Sequence, residues 1–275
     1  MKSSENQSFI EHYNISGCEK TSVAVDIAAF TVRSDKTDNY KRDSVQKLAL
    51  LLIKRGIHPF KDMWALPGGF LRGSETVEQC ALREITEESG VTPKAIMPVA
   101  VFSEADRDPR GRVISNAFAS VISEESVKAR GGDDAADAKW FDMEFINEGR
   151  LVKISLKSGN TVINAVLEEK TVHFGLPEYE IIDGGGLAFD HAKIIACALS
   201  RLRSVIDNFE IVFDFLPEKF TLSNLQRVQE AVLNISLLPA NFRRKAAPYI
   251  EETDEYVTGA GHRPAQLFRR KRYKA

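Results

Sequence analysis

Cysteine is scarce in this chain. Cys18, Cys80 and Cys197 are the only three. They stand far apart and at no spacing that a zinc site uses, so they read as plain thiols of a reducing cytoplasm rather than as a metal or disulfide framework. Long apolar runs are missing too, and none approaches membrane-spanning length. The polar start Met1-Lys2-Ser3-Ser4-Glu5-Asn6-Gln7 reads neither as a signal peptide nor as an anchor. A cytoplasmic protein with no membrane partner is expected. Net charge is nearly absent, −2 over 275 residues, but it is unevenly spread. Residues 217–275 hold eleven lysines and arginines against six acidic residues. That asymmetry predicts two modules with different partners.

What is present is concentrated in residues 66–91. Thr76 with Gln79 three residues later fits a capping box. Val77, Cys80, Ala81 and Ile85 form an apolar stripe at helical spacing, and Gly90 stands where a left-handed C-terminal cap belongs. On that helix Glu84, Glu87 and Glu88 are spaced i, i+3 and i+4, which places three carboxylates on one face, read as the face opposite the stripe. Like charges at that spacing repel. An oxygen-loving divalent cation, Mg²⁺ or Mn²⁺, reverses the sign of that repulsion; the bland alternative is a solvated acidic face. Ahead of the helix, Leu66-Pro67-Gly68-Gly69 reads as a tight loop that brings backbone close to whatever the metal holds.

Gly69, Glu75, Arg83, Glu84, Ile85, Glu87, Glu88, Gly90 and Val91 resemble the Nudix box and fill all its fixed positions. The resemblance implies metal-assisted hydrolysis of a diphosphate linked to another group. It implies a catalytic set of Glu84, Glu87 and Glu88 as metal ligands, with Glu75 and Arg83 orienting the loop and helix. It also implies a general base from a loop outside the box, for which Asp133 or Asp134 could serve.

Around the box, apolar runs at residues 23–32, 47–53, 96–102, 116–123 and 138–141 predict strands. Arg55 ends the second of these and suits a diphosphate, because guanidinium meets phosphate bidentately; it could equally be a surface charge. Trp64 reads as core packing. Arg107, Arg110 and Arg112 lie on a turn beside the box and suit a polyanion, or else a solvated hairpin tip. The substrate-binding set is therefore Arg55, Gly68, Gly69, Arg107, Arg110 and Arg112. Residues 152–167 alternate about Ser158-Gly159-Asn160 as a β-hairpin. A helix is expected over 192–206, with His191 at its start as a capping or core histidine.

Beyond residue 209, Phe213, Phe215, Leu216 and Phe220 supply apolar anchors. A helix follows from Thr221 to Leu233, then a turn over residues 237–241, and a second helix from Asn241 with Arg243, Arg244 and Lys245 near its start. A turn at residues 259–261 and a basic segment with Arg263 read as a wing. Such a helix can enter a major groove while the wing touches phosphate; the alternative is a structural cap with a solvated basic tail.

Taken together, the chain resembles the Nudix-related transcriptional regulators. The resemblance rests on the box, Ile53-Lys54-Arg55-Gly56, residues 106–112, Leu187-Ala188-Phe189-Asp190-His191, residues 241–245 and Gly261-His262-Arg263-Pro264-Ala265. It implies an α/β fold, a Nudix α/β/α sandwich with a mixed sheet, followed by a small winged helix-turn-helix domain. The boundaries are a Nudix domain over 1–208, with a hairpin insertion at about 143–186, and a winged helix over 209–275. The implied ligand is ADP-ribose or a relative, the implied macromolecular partner is DNA, and the implied assembly is a homodimer. Two functions remain open: an active hydrolase of such a nucleoside diphosphate, or a metabolite-responsive regulator that binds it without turnover.

Overall fold

The apolar run that follows Ser22 becomes a central strand, β1 (Ser22–Ser34), buried on both faces. The computed structural model describes residues 20–34, 46–129, 138–173, 176–257 and 264–271. The two-residue period of a strand divides the core in two. Val25, Ile27 and Ala29 face one apolar cluster with Cys80, Ala81 and Ile85. Ala28, Phe30 and Val32 face the other, with Ile194, Ile195 and Leu199. The neighbouring strand β2 (Gln46–Lys54) divides in the same way, Ala49 and Leu51 to one side, Leu48, Leu50 and Leu52 to the other.

Helix α1 (Val77–Ser89) therefore covers one face. It carries both arms of the Thr76–Gln79 capping box and a left-handed Gly90 at φ 68°. Helix α3 (His191–Val205) covers the other face. Between them run β3 (Trp64–Ala65), β4 (Gly68–Phe70), β5 (Ile96–Phe102), β6 (Val113–Val121), a short α2 (Glu124–Ala129) and β7 (Ala138–Glu148). Then follow β8 (Leu151–Ser158), β9 (Thr161–His173) and β10 (Leu176–Asp183). Among the described residues the sheet order is β10-β9-β8-β7-β2-β1-β6-β5, with β3 on β2 and β4 on β1. Among the described strands β1 and β6 pair in parallel and the others antiparallel, so the sheet is mixed.

Three local expectations change. Residues 138–141 are the start of a strand that runs on to Glu148. The hairpin at 152–167 is not a separate excursion but an antiparallel continuation of the same sheet. Val152, Ile154, Leu156, Ile163 and Leu167 bury against the α3 side, and Tyr179 Oη and Ser200 Oγ, 2.8 Å apart, tie β10 to α3. Residues 68–70 form a strand on β1 rather than a loop, in register Val25↔Gly69 and Asp26↔Gly68. Gly68 is required by the backbone itself, since a Cβ there would collide with the Val25 carbonyl oxygen, while one on Gly69 would push aside the Glu84 carboxylate.

The C-terminal part adds α4 (Phe209–Asp214), β11 (Lys219–Phe220), α5 (Leu222–Leu233) and α6 (Pro239–Ala246). A 3-10 turn (Ala247–Tyr249), β12 (Ile250–Val257) and β13 (Ala265–Arg270) complete it. The small sheet β11-β13-β12 and the α5–α6 pair make a winged helix. Helix α6 begins at Pro239 rather than Asn241, since proline suits the first helical turn, and Arg243, Arg244 and Lys245 fall in its last turn instead of at its start. The turn at 259–261 lies outside the described residues.

Among the described residues the C-terminal part forms no core of its own. Phe209, Val212, Phe213, Phe220, Leu225, Val232, Phe242 and Phe268 belong to the same continuous apolar cluster as Phe30 and Leu199. Arg203 Nε donates to the Val232 carbonyl at 2.8 Å, and Gln229 Nε2 to Asp207 Oδ1 at 2.9 Å. No described helix is long and apolar enough to cross a membrane.

Candidate active site and nucleic-acid interface

The box acids do not share one environment. Glu84 is 8% exposed and lies with the apolar stripe, while Glu87 reaches solvent. The reason is Arg83. Its guanidinium bonds Glu75 at 2.7 and 3.0 Å, Glu84 at 2.6 Å and Glu87 at 3.3 Å. Arg72 also approaches Glu87, at 3.3 Å. The repulsion that the sequence leaves to a cation is thus partly relieved by two arginines. Hydrogen bonding to Arg83 holds Glu75 down to about 2, and Glu75 in turn accepts from the Arg72 N–H at 2.6 Å, which fixes the turn ahead of α1.

Glu88 differs. It accepts the Gly68 N–H at 2.9 Å. Burial, reinforced by Glu84 and Asp26, pushes it up to about 7 despite that bond. A carboxylate raised in this way by burial and by neighbouring acids suits a divalent cation, and an all-oxygen donor set suits a hard one. As the side chains stand, no three metal-ligating groups among the described residues converge on one point.

Beside Glu88 lies a pocket of about 70 Å³ lined by Asp26, Arg55, Gly68, Gly69, Phe70, Arg107, Arg110, Phe189 and His191 among others. Larger clefts of about 820 and 750 Å³ sit against the winged helix. They gather charges of both signs and no box acid, so size does not mark the site.

Of the arginines expected here, Arg107 is buried and spent within the protein. It bonds Asp190 at 2.8 and 3.0 Å and reaches Asp26 at 3.4 Å. Arg110 lines the pocket but is held bidentately by Asp108. Arg112 donates to the Ser103 carbonyl and does not line the pocket. Arg55 donates Nε to the Pro59 carbonyl at 2.9 Å, and no described carboxylate lies within ion-pair distance of it. Burial, then the nearby Arg110, lowers its pKa. Arg55 is therefore the pocket's uncommitted cation.

Asp26 was missed by motif reading, although a single acid inside an otherwise apolar strand run is a visible signal. It accepts Ser115 Oγ at 2.5 Å and pairs with Arg107 and with His191 Nε2 at 3.3 Å. The Leu66 N–H donates to His191 Nδ1 at 2.8 Å, so the imidazole proton sits on Nε2, toward Asp26. Burial opposes ionisation of Asp26, but His191, Ser115 and Arg107 outweigh it and hold the group at about 2, below its ordinary 3.8.

A depressed acid stabilises the fold above its unfolded pKa and loses that contribution as pH falls through the folded one. About 2 kcal/mol should thus vanish between about pH 4 and pH 2. Urea unfolding should find Asp26→Asn less stable than the parent by about that amount at pH 7, with the gap closing toward pH 2. A gap of equal size at both pH values would rule the assignment out.

Asp133 and Asp134, the general-base candidates, lie outside the described residues. So does Arg263 of the wing.

On α6, Phe242 and Ala246 turn inward, while Arg243 and Arg244 are exposed. Arg244 meets only Asn241 Oδ1, at 3.4 Å. Lys245 instead bonds Asp207 at 2.6 Å and faces the junction with α3. On the wing, Arg269 pairs with Glu251 and Arg270 with Glu210. Arg243 and Arg244 on α6 are thus exposed basic groups without an ion pair among the described residues, open to a polyanion.

Residues 37–158 match the NUDIX domain family, and residues 212–270 match the NrtR DNA-binding winged helix domain. The chain is 27% identical, over 97% of its length and 88% of the relative, to the ADPR responsive transcriptional repressor NtrR of Acinetobacter baylyi. Over 34% of its length and 54% of the relative, it is 50% identical to the ADP-ribose pyrophosphatase of Methanocaldococcus jannaschii. The crystal structure of Shewanella oneidensis NrtR complexed with a 27mer DNA superimposes with a TM-score of 0.63 at 25% identity, over 90% of this chain and 93% of that one.

Proposed function

We propose, for a chain that joins a Nudix domain to an NrtR-type winged helix, that it is a DNA-binding regulator whose Nudix site takes ADP-ribose or a close relative and hydrolyses its diphosphate. The observation that carries this reading is one pocket holding an uncommitted Arg55 and a half-buried Glu88, on a core continuous with a DNA-binding module. The names of the two relatives point to the same ligand.

Glu84 and Glu88, with Glu87, would hold a divalent cation, Mg²⁺ or Mn²⁺. Such an ion supplies a polarised phosphoryl oxygen and an activated water. The chain's own groups bind and orient. Arg55 meets the diphosphate through its terminal nitrogens, with Arg110 beside it. Arg83 and Glu75 keep α1 and the turn before it in place, and Asp26 holds Arg107 and His191 at the pocket floor. The arginine ties on Glu84 and Glu87 favour a second reading, in which the site binds its ligand with little turnover.

The route between the sites is α3. Phe189 and His191 at its start line the pocket, and Arg203 near its end holds α5. A ligand changes DNA affinity only if it prefers one arrangement of these parts over another. A homodimer would present two winged helices to paired half-sites.

The test is fluorescence anisotropy of the full-length protein on DNA from its own upstream region, with and without ADP-ribose. Binding that weakens with salt and shifts with ADP-ribose is expected. No binding even at low salt would reject the regulator and leave a hydrolase with a structural C-terminal part. Release of AMP and ribose 5-phosphate from ADP-ribose, dependent on the divalent cation, separates the hydrolase from the binding-only reading.

A further inference from the structure

Phe189 has no part in the box, yet the pocket is arranged around its ring. Its backbone sits at φ +52°, a left-handed conformation that an aromatic residue rarely takes. The residues around it hold it there. The Ala188 N–H donates to the Trp64 carbonyl at 2.8 Å on one side, and α3 starts two residues later on the other. Phe60, itself at φ +59°, packs edge-on with ring centroids 4.7 Å apart, and the His191 ring lies at 5.4 Å. The ring is thus fixed in place by backbone, helix start and two neighbouring rings.

Two guanidinium groups then lie over that one ring. Arg55 Cζ is 4.7 Å from its centroid and Arg110 Cζ is 5.5 Å from it, with Arg110 also 5.0 Å from the Phe70 ring. Two like charges so close repel, and burial beside Arg110 already lowers the Arg55 pKa. A ring face attracts a guanidinium through its π electrons and leaves the N–H edges available. Arg55 Nη1 and Nη2 and Arg110 Nη1 have no hydrogen-bond partner among the described residues. Two phosphoryl groups joined by one bridging oxygen offer acceptors for two such cations at one pocket.

We propose that Phe189 is a positioning residue for anion binding: its ring, with Asp108 on Arg110 and the Pro59 carbonyl on Arg55, holds both guanidinium groups at the pocket ahead of a diphosphate ligand. This rests on the nucleoside diphosphate reading above. It adds that the ring helps pre-set the arginines, so that they are not gathered by the ligand alone. Loss of the ring should therefore weaken binding without touching the acids that serve hydrolysis.

The measurement is isothermal titration of the full-length protein with α,β-methylene ADP-ribose, which cannot be cleaved at the bridge, on Phe189→Leu, Phe189→Tyr and Arg55→Ala. Phe189→Leu should bind about fivefold to thirtyfold more weakly, while Phe189→Tyr, which keeps the ring, should stay within about twofold of the parent. In steady-state hydrolysis the Leu variant should raise KM more than it lowers kcat. A merely structural phenylalanine would lower melting temperature in step with binding. Here the Leu and Tyr variants should melt alike and bind differently.

Equal binding by the Leu variant and the parent overturns the proposal, and so does equal weakening by Leu and Tyr. The Arg55→Ala arm separates the two levels. If it weakens binding while Phe189→Leu does not, only the role of the ring falls. If neither substitution matters, or the parent does not bind, the nucleoside diphosphate reading falls with it.

Discussion

Glu88→Gln is expected to cut turnover of ADP-ribose by on the order of a hundredfold or more while the fold stays intact. The two halves of that expectation have different causes. Glutamine keeps an oxygen for the Gly68 N–H that Glu88 now accepts at 2.9 Å, so β4 and the box turn stay in place. What it loses is the charge that a divalent cation needs.

The sign of the stability change follows from the same burial. Glu88 is raised from 4.5 to about 7 by burial, with Glu84 and Asp26 adding to it against the Gly68 bond. An acid raised on folding costs nothing below its unfolded pKa and costs most above its folded one. The ionised carboxylate should therefore weaken the metal-free fold by about 3 kcal/mol, developing between about pH 4.5 and pH 7. In a chelator at pH 8 the Gln variant should melt at or above the parent temperature. Added Mg²⁺ should raise the parent's melting temperature and leave the variant's nearly unchanged. A variant with parental turnover would remove Glu88 from the chemistry. A variant that melts far below the parent in chelator would remove the electrostatic account.

Replacing Arg243 and Arg244 together with alanine should lower DNA affinity by on the order of a hundredfold, and should reduce the slope of log K against log salt by about two. Both side chains are exposed on α6, on the side away from the buried Phe242 and Ala246. The fold does not need their charge, since Arg243 has no described ion pair and Arg244 meets only Asn241. Melting temperature should therefore stay within a few degrees of the parent. Lys245→Ala is the contrast. Its ammonium bonds Asp207 at 2.6 Å, so its loss should loosen the contact between α6 and the end of α3 more than it changes the salt slope. Equal slopes in the parent and the double variant would move the DNA contact to another surface.

These expectations draw unequally on sequence and structure. The box, the capped helix α1 and the helix-turn-helix with a wing were legible from the chain alone, while the mixed α/β sandwich was what the resemblance to Nudix proteins implies. Each rests on neighbours in sequence: a cap three residues from its partner, carboxylates one helical turn apart, apolar residues at period two or 3.6. Asp26 stood in view within an apolar strand, but its meaning required Ser115, Arg107 and His191, which the chain brings from 81 to 165 residues away in sequence. The start of α6 was misplaced by two residues because Pro239 can open a helix as readily as close a turn.

What the sequence by itself determined is therefore the local chemistry: which acids are offered, which helix carries them, and that a basic module follows. What only the tertiary structure decided is which charges are free. Arg55, Arg107, Arg110 and Arg112 are alike in sequence, yet three are held by Asp190, Asp108 and the Ser103 carbonyl while Arg55 keeps its terminal nitrogens open to the pocket. The same holds for the modules. Charge asymmetry predicts two modules with different partners, and only the tertiary structure shows that Phe209, Phe213 and Phe242 join both to one continuous apolar cluster. Ion pairs and apolar contacts over such distances depend on where the chain returns in space, and no spacing along the sequence encodes that.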